Sequence, residues 1–168
     1  MKIVKTFYKT IKNKRVLKWE LGSATLYALP AITRFITRNP VIPILNAPYH
    51  SPSPFIPPNL VEKFSVNLFF PGGAGSVAGE VLVSKYKNKE LKGSSKYLAR
   101  ALGSYLQYGL WTTFQYFGHL TKTIGPHGEN VFEGPEVYPF NFLLATISIL
   151  TPDIVGYVTK INKKIFRK

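Results

Sequence analysis

Charge is confined to a few short stretches of this chain, and long segments with almost none run between them. Ala101 to Thr121 carries no Asp, Glu, Lys or Arg, Tyr138 to Thr159 carries only Asp153, and Phe64 to Ser84 carries only Glu80. As a helix, a run of about 20 such residues reaches the roughly 30 Å of a bilayer's hydrocarbon core. The pattern therefore predicts a mainly α fold, a small multi-pass membrane protein over residues 1–168 as one unit.

The flanks constrain the number of crossings. Seven Lys/Arg and no acid precede Glu20, six Lys/Arg and one Glu fall in 85–100, and five of the last nine residues are basic. Basic loops gather on one side of a membrane. The 122–136 stretch, with one lysine and three glutamates, and the nearly neutral 40–58 stretch then fall on the other side. An even number of crossings satisfies this at every loop: four, near 17–37, 64–84, 100–121 and 139–159, or only the last two. Four is the preferred expectation.

Within this frame, residues 1–18 form a basic amphipathic segment, with Val4, Phe7/Tyr8 and Ile11 at helical spacing. It reads as a targeting segment poor in arginine, as an interfacial anchor on anionic lipid, or as a plain solvated helix. Residues 40–58 contain seven prolines, which forbid a regular helix and predict an extended strap. The strap's interleaved Val41, Ile44, Tyr49 and Phe55 predict that it lies along another surface. Residues 160–168 are a basic tail.

"FFPGGAGSVAGEVLV", Phe69 to Val83, admits two readings. Gly73 to Ala78 formally fits the GxGxxA of a dinucleotide loop, but the acid about 20 residues on, Glu90, stands among lysines with no strand to carry it. Glu80 stands where a phosphate-binding lysine would be needed for a Walker loop. Read as a helix, Gly72 and Ser76, and Gly75 and Gly79, fall at the small-xxx-small spacing that lets two backbones approach closely. Helix packing through Gly72, Gly75, Ser76 and Gly79 is the expectation.

Catalytic material is thin. The chain has one aspartate, seven glutamates, three histidines and no cysteine, and these are scattered. Only 119–136 gathers several, His119, His127, Glu129 and Glu133, without the two-histidine helical spacing of a metal motif. No catalytic, metal or cofactor-binding residue is expected, and the protein is read as not an enzyme. Along the uncharged 101–121 run and the turn before it, Leu98, Leu102, Leu106, Leu110 and Phe117 share one helical face, while Arg100, Ser104, Gln107, Gln115 and His119 gather opposite. Glu80, Gln107, Gln115, His119 and Asp153 are thus candidate buried polar groups that require partners on other helices. Asp153 is expected to lie towards the headgroups or to pair with a lysine or arginine, since Lys160 follows seven positions on.

The charge of +14 calls for a negative partner. Lys12, Lys14, Arg15, Lys18, Lys160, Lys163, Lys164 and Arg167 are the candidate contacts to anionic phospholipid of the cardiolipin type. The function expected from these features is a non-catalytic accessory subunit of a large membrane complex. Its expected place is the mitochondrial inner membrane, in the respiratory chain or ATP synthase, with both termini on the matrix side. Other subunits are the expected partners, and neither nucleic acid nor a small-molecule substrate is. Two other classes stay open: an RNA-binding component of an organellar ribosome, and a small transporter using Asp153, His119 and Glu80.

Overall fold

A computed structural model describes residues 2–37, 68–121 and 137–166. The 40–58 strap, the 119–136 acid and histidine cluster beyond Thr121, and Arg167 lie outside the described residues.

Six α-helices form the described part: α1 Lys2–Ile11, α2 Lys14–Thr37, α3 Ala74–Lys87, α4 Gly93–Thr121, α5 Val137–Ser148 and α6 Thr151–Ile165. Each break has a local cause. Asn13 separates α1 from α2 because its side-chain oxygen accepts from the Arg15 and Val16 amides, capping the new helix. A wide π-helical turn, Leu68–Gly73, leads into α3 and contains the buried Pro71. Asn88 ends α3 in the left-handed region at φ 50°, its amide donating to the Lys85 carbonyl, and the Lys89 amide reaches back to Ser84. Between α5 and α6 the chain bends by 50°. Pro152, in the first turn of α6, has no amide to continue the ladder of α5.

The helices pack α3 against α4, with α2 and α5 on either side and α1 laid across α3. α5 runs back along α4. Asn141 bonds Thr112, Ser104 bonds the Ala145 carbonyl, and Arg100 reaches the Ile149 carbonyl. The apolar core is small and comes in two pieces. Val16, Val77 and Val81 pack with Trp19, and Tyr108, Leu144 and Ala145 pack with Leu68.

The expectation of a multi-pass membrane protein with four or two crossings is corrected here. Among the described residues no single helix is long and apolar enough to cross a membrane. The 17–37 segment falls in α2, whose first two turns carry Lys14, Arg15, Lys18 and Glu20. Of the 64–84 segment, the described residues from Leu68 on resolve into the proline-containing turn and α3, whose 14 residues span only about 21 Å. The 100–121 segment lies in α4, 29 residues long, but Ser104, Gln107, Thr112 and Thr113 dilute its hydropathy. The 139–159 segment is broken at Ile149 and Leu150. Asn141–Ser148 and Thr151–Ile165 reach a span's length and composition only as a bent pair. The mainly helical class stands, and the helices described within 64–84 and 139–159 are shorter or more bent than the uncharged runs predict.

Candidate functional site

The small residues of α3 do not cradle a phosphate; they form a seam against α4. A Cβ built on Gly75 would lie 2.8 Å from the Gly103 carbonyl oxygen, and one on Gly79 would lie 2.7 Å from the Gly103 amide nitrogen. One on Gly103 would collide with the Gly75 carbonyl. The backbones of α3 and α4 thus touch, and only hydrogen fits between them. Gly72 faces Ser148 at the start of the same seam, leaving no room for a side chain. Ser76 donates to the Ser148 carbonyl at 3.0 Å, and Ser148 itself donates to Leu144 at 2.7 Å. Ser23 of α2 likewise bonds the Phe69 carbonyl. The four expected packing residues therefore act inside this chain, and their counterpart Gly103 is the residue that sequence spacing did not single out.

Beyond the seam lies a chain of charges. Arg100 of α4, 2% exposed, bonds Glu80 of α3 at 2.6 Å and Asp153 of α6 at 2.8 Å. Arg15 of α2 takes the other oxygen of Glu80 at 2.7 Å, and Lys96 takes the other oxygen of Asp153 at 2.9 Å. Tyr97 adds a phenol hydrogen bond to Asp153 at 3.2 Å. Three cations and two carboxylates from α2, α3, α4 and α6 meet on one buried guanidinium. Burial by itself would raise the pKa of Glu80, but hydrogen bonds and charge from Arg15 and Arg100 outweigh it and hold the carboxyl below its usual range. Burial opposes ionisation at Asp153 too, and Arg100 and Lys96 still draw its pKa down to about 2. Both acids are locked as anions and have no proton to offer at neutral pH.

A third acid behaves differently. Glu20 of α2 is half-buried, and burial raises its pKa, an effect that a hydrogen bond from Gln107 of α4 only partly offsets. Gln107 thereby finds an interhelical partner in its own chain. Gln115 and His119 lie on the last turns of α4, where only their backbone is described. His119 sits about 28 Å along the helix axis from Arg100, at roughly 1.5 Å per residue. The structure thus does not bring Glu80, Asp153 and His119 together around one cavity. Among the described residues no three His, Asp or Glu converge as metal ligands, and no buried side-chain polar atom lacks a hydrogen-bond partner.

Much of the described positive charge collects at one end. Lys85, late in α3, donates to the Lys9 carbonyl of α1 at 3.1 Å, and the Lys2 ammonium lies over the Tyr86 ring. Lys96 and Arg100, early in α4, hold Asp153 at the start of α6. Of the expected lipid contacts, Lys12, Lys14, Lys18, Lys160, Lys163 and Lys164 are exposed, whereas Arg15 is committed to Glu80. Sequence spacing puts Arg100 at the flank of the uncharged run and on the polar face of α4. Its role as hub could not be found without knowing that Glu80 and Asp153, far apart in sequence, face it.

Compared with known protein families, with curated proteins and with solved structures, the chain matches none.

Proposed function

We propose that this chain is a non-catalytic structural subunit of a larger membrane-associated assembly, held by neighbouring subunits along its apolar helix faces and by anionic phospholipid at its basic end. The observation that carries this reading is the orientation of α4. Leu98, Leu102, Leu106, Leu110 and Phe117 are all more than half exposed, while Arg100, Ser104 and Tyr108 are buried. A helix whose leucine face points away from the other described helices asks for an apolar cover beyond them. Leu21, Leu29, Ile32 and Ile36 of α2, Phe142 of α5, Leu150 of the turn after it and Ile154 of α6 extend the demand. Glu80 and Asp153, tied up in ion pairs, supply no acid or base for chemistry.

The proposed location is the mitochondrial inner membrane, with the basic end towards the matrix. Cardiolipin there offers closely spaced phosphates to clustered lysines. The respiratory chain and ATP synthase are the proposed hosts. Native electrophoresis of the mildly solubilised membrane fraction tests this. Migration in a large complex is the expected result, and migration as a free chain of 18.9 kDa overturns it.

A second reading, RNA binding within an organellar ribosome, is favoured by one observation. Tyr8, Tyr86 and Tyr97 each lie under a lysine ammonium, so aromatic rings do stand beside the charge at the basic end. Nuclease treatment separates the two readings: a protein-held complex survives it, and an RNA-held one falls apart.

A further inference from the structure

We infer that α1 is an interfacial helix that seats the basic end of the molecule on an anionic bilayer, with Ile3, Val4, Phe7, Tyr8 and Ile11 inserted among the lipids. This rests on the proposed membrane association and names the surface and the residues.

The inference comes from how α1 is attached. An amphipathic helix belonging to a soluble core buries its apolar stripe. α1 does the reverse. It packs on α3 through two small polar residues, Thr6 and Thr10, which are 8% and 4% exposed and satisfy their hydroxyls on the Lys2 and Thr6 carbonyls of their own helix. Its apolar residues stay out: Ile3 is 69% exposed, Val4 72%, Phe7 54%, Tyr8 57% and Ile11 49%. At 100° per residue these five cover about 140° of the helix surface, a continuous strip without a charge.

The remaining sector of α1 is basic. Lys2, Lys5 and Lys9 join Lys85 and Asn88 around an open groove of about 570 Å³, and no acid lines it among the described residues. Lys12 extends the same sector beside Tyr8, over whose ring its ammonium lies at 4.3 Å. A helix with one apolar strip, a lysine-only polar face and little overall hydrophobicity lies in the plane of a headgroup layer. The occupant that matches both halves is an anionic bilayer. Acyl chains take the strip, and phosphates take lysine ammoniums that have no carboxylate nearby. A protein groove would match the strip alone.

α6 repeats the design at the same end of the molecule. Ile154, Tyr157, Val158, Ile161 and Ile165 are exposed along one side, and Lys160, Lys163 and Lys164 stand on the rest. Its start is fixed to α4 by the Asp153 ion pairs, close to the turn that joins α3 and α4.

The test is flotation of the full chain with vesicles of phosphatidylcholine alone and with about 20 mol% cardiolipin. The expected result is binding only to the cardiolipin vesicles, weakened by raising salt from about 0.05 to about 0.5 M. The doubly substituted Phe7→Ser, Ile11→Ser chain should bind about tenfold or more weakly. Both positions are exposed, so its helix content by circular dichroism should equal that of the wild type. Equal flotation of this variant, binding to neutral vesicles as strong as to anionic ones, or displacement of the chain from cardiolipin vesicles by single-stranded RNA overturns the inference. Native electrophoresis keeps the two readings apart. A chain that sits in a complex but fails to float overturns the role of α1, and one that floats but migrates alone overturns the subunit reading.

Discussion

The two faces of α4 are made of opposite materials. The inward face presents Arg100, Gly103, Ser104, Gln107 and Tyr108, and the outward face presents Leu98, Leu102, Leu106 and Leu110. A core of this kind cannot draw most of its stability from apolar area, because the large apolar side chains are elsewhere. It is held by backbone contact through glycine, by hydroxyls donated to carbonyls of neighbouring helices, and by one ion network. The inward face specifies which helices meet and how closely. The outward face specifies that something else must cover them.

The largest effect is expected inside. Arg100→Ala leaves Glu80 and Asp153 beside an empty space, and breaking a buried pair of this kind costs about 3–5 kcal/mol. Chemical denaturation should show it, and a variant as stable as wild type would mean that the network is ornamental. The apolar-plus-neutral replacement Arg100→Met with Glu80→Gln should recover part of the loss, because the carboxylate then no longer carries a charge that Arg15 alone must balance.

Glycines on the two faces of α4 give a sharper contrast. Gly103→Ala drives a methyl into the Gly75 and Gly79 backbone and should destabilise by about 1–3 kcal/mol. Gly109→Ala meets nothing within 4 Å and should stabilise by about 1 kcal/mol through helix propensity. Equal effects at the two sites would dissolve the seam.

Outside, Leu102→Ser with Leu106→Ser should change the stability of the isolated chain by only about 0.5 kcal/mol per site. The same pair should release the chain from its assembly on native electrophoresis. Retention there would show that the leucine face is an uncovered surface.

The smallest effect is in the acid range. The pKa of Asp153 falls from 3.8 in the unfolded reference to about 2, so the native state favours its charged form. Its contribution is complete above about pH 4 and is lost as the pH falls towards 2. Glu80 acts in the same sense. Glu20, with a raised pKa, acts oppositely: it favours folding when protonated and loses that contribution as pH rises through its folded value. The fall in thermal stability between pH 4 and pH 2 should therefore shrink in Asp153→Asn. An unchanged slope would detach Asp153 from the network.

Residue order alone went far with local structure. The helical class, the small-residue face of 72–79 and the two-faced character of 98–120 all follow from spacing and from the stereochemistry of glycine, which act within a few residues. Asp153 was expected beside a lysine or arginine because Lys160 lies within seven positions. A lysine and an arginine are the partners found, Lys96 and Arg100, brought there by the turn between α5 and α6. Crossing length was misjudged for a related reason. An uncharged run shows where a helix has no charge, but not where a π turn or a bend cuts it.

Sequence by itself determined which faces are polar, which are apolar and where the charge lies, since these are sums over side chains at fixed helical angles. Only tertiary structure decided which face is inside. Gly103 matters because Gly75 and Gly79 touch it, and Arg100 is a hub because two carboxylates from distant helices converge on it. Contact between backbones is a property of pairs, and no single segment carries it.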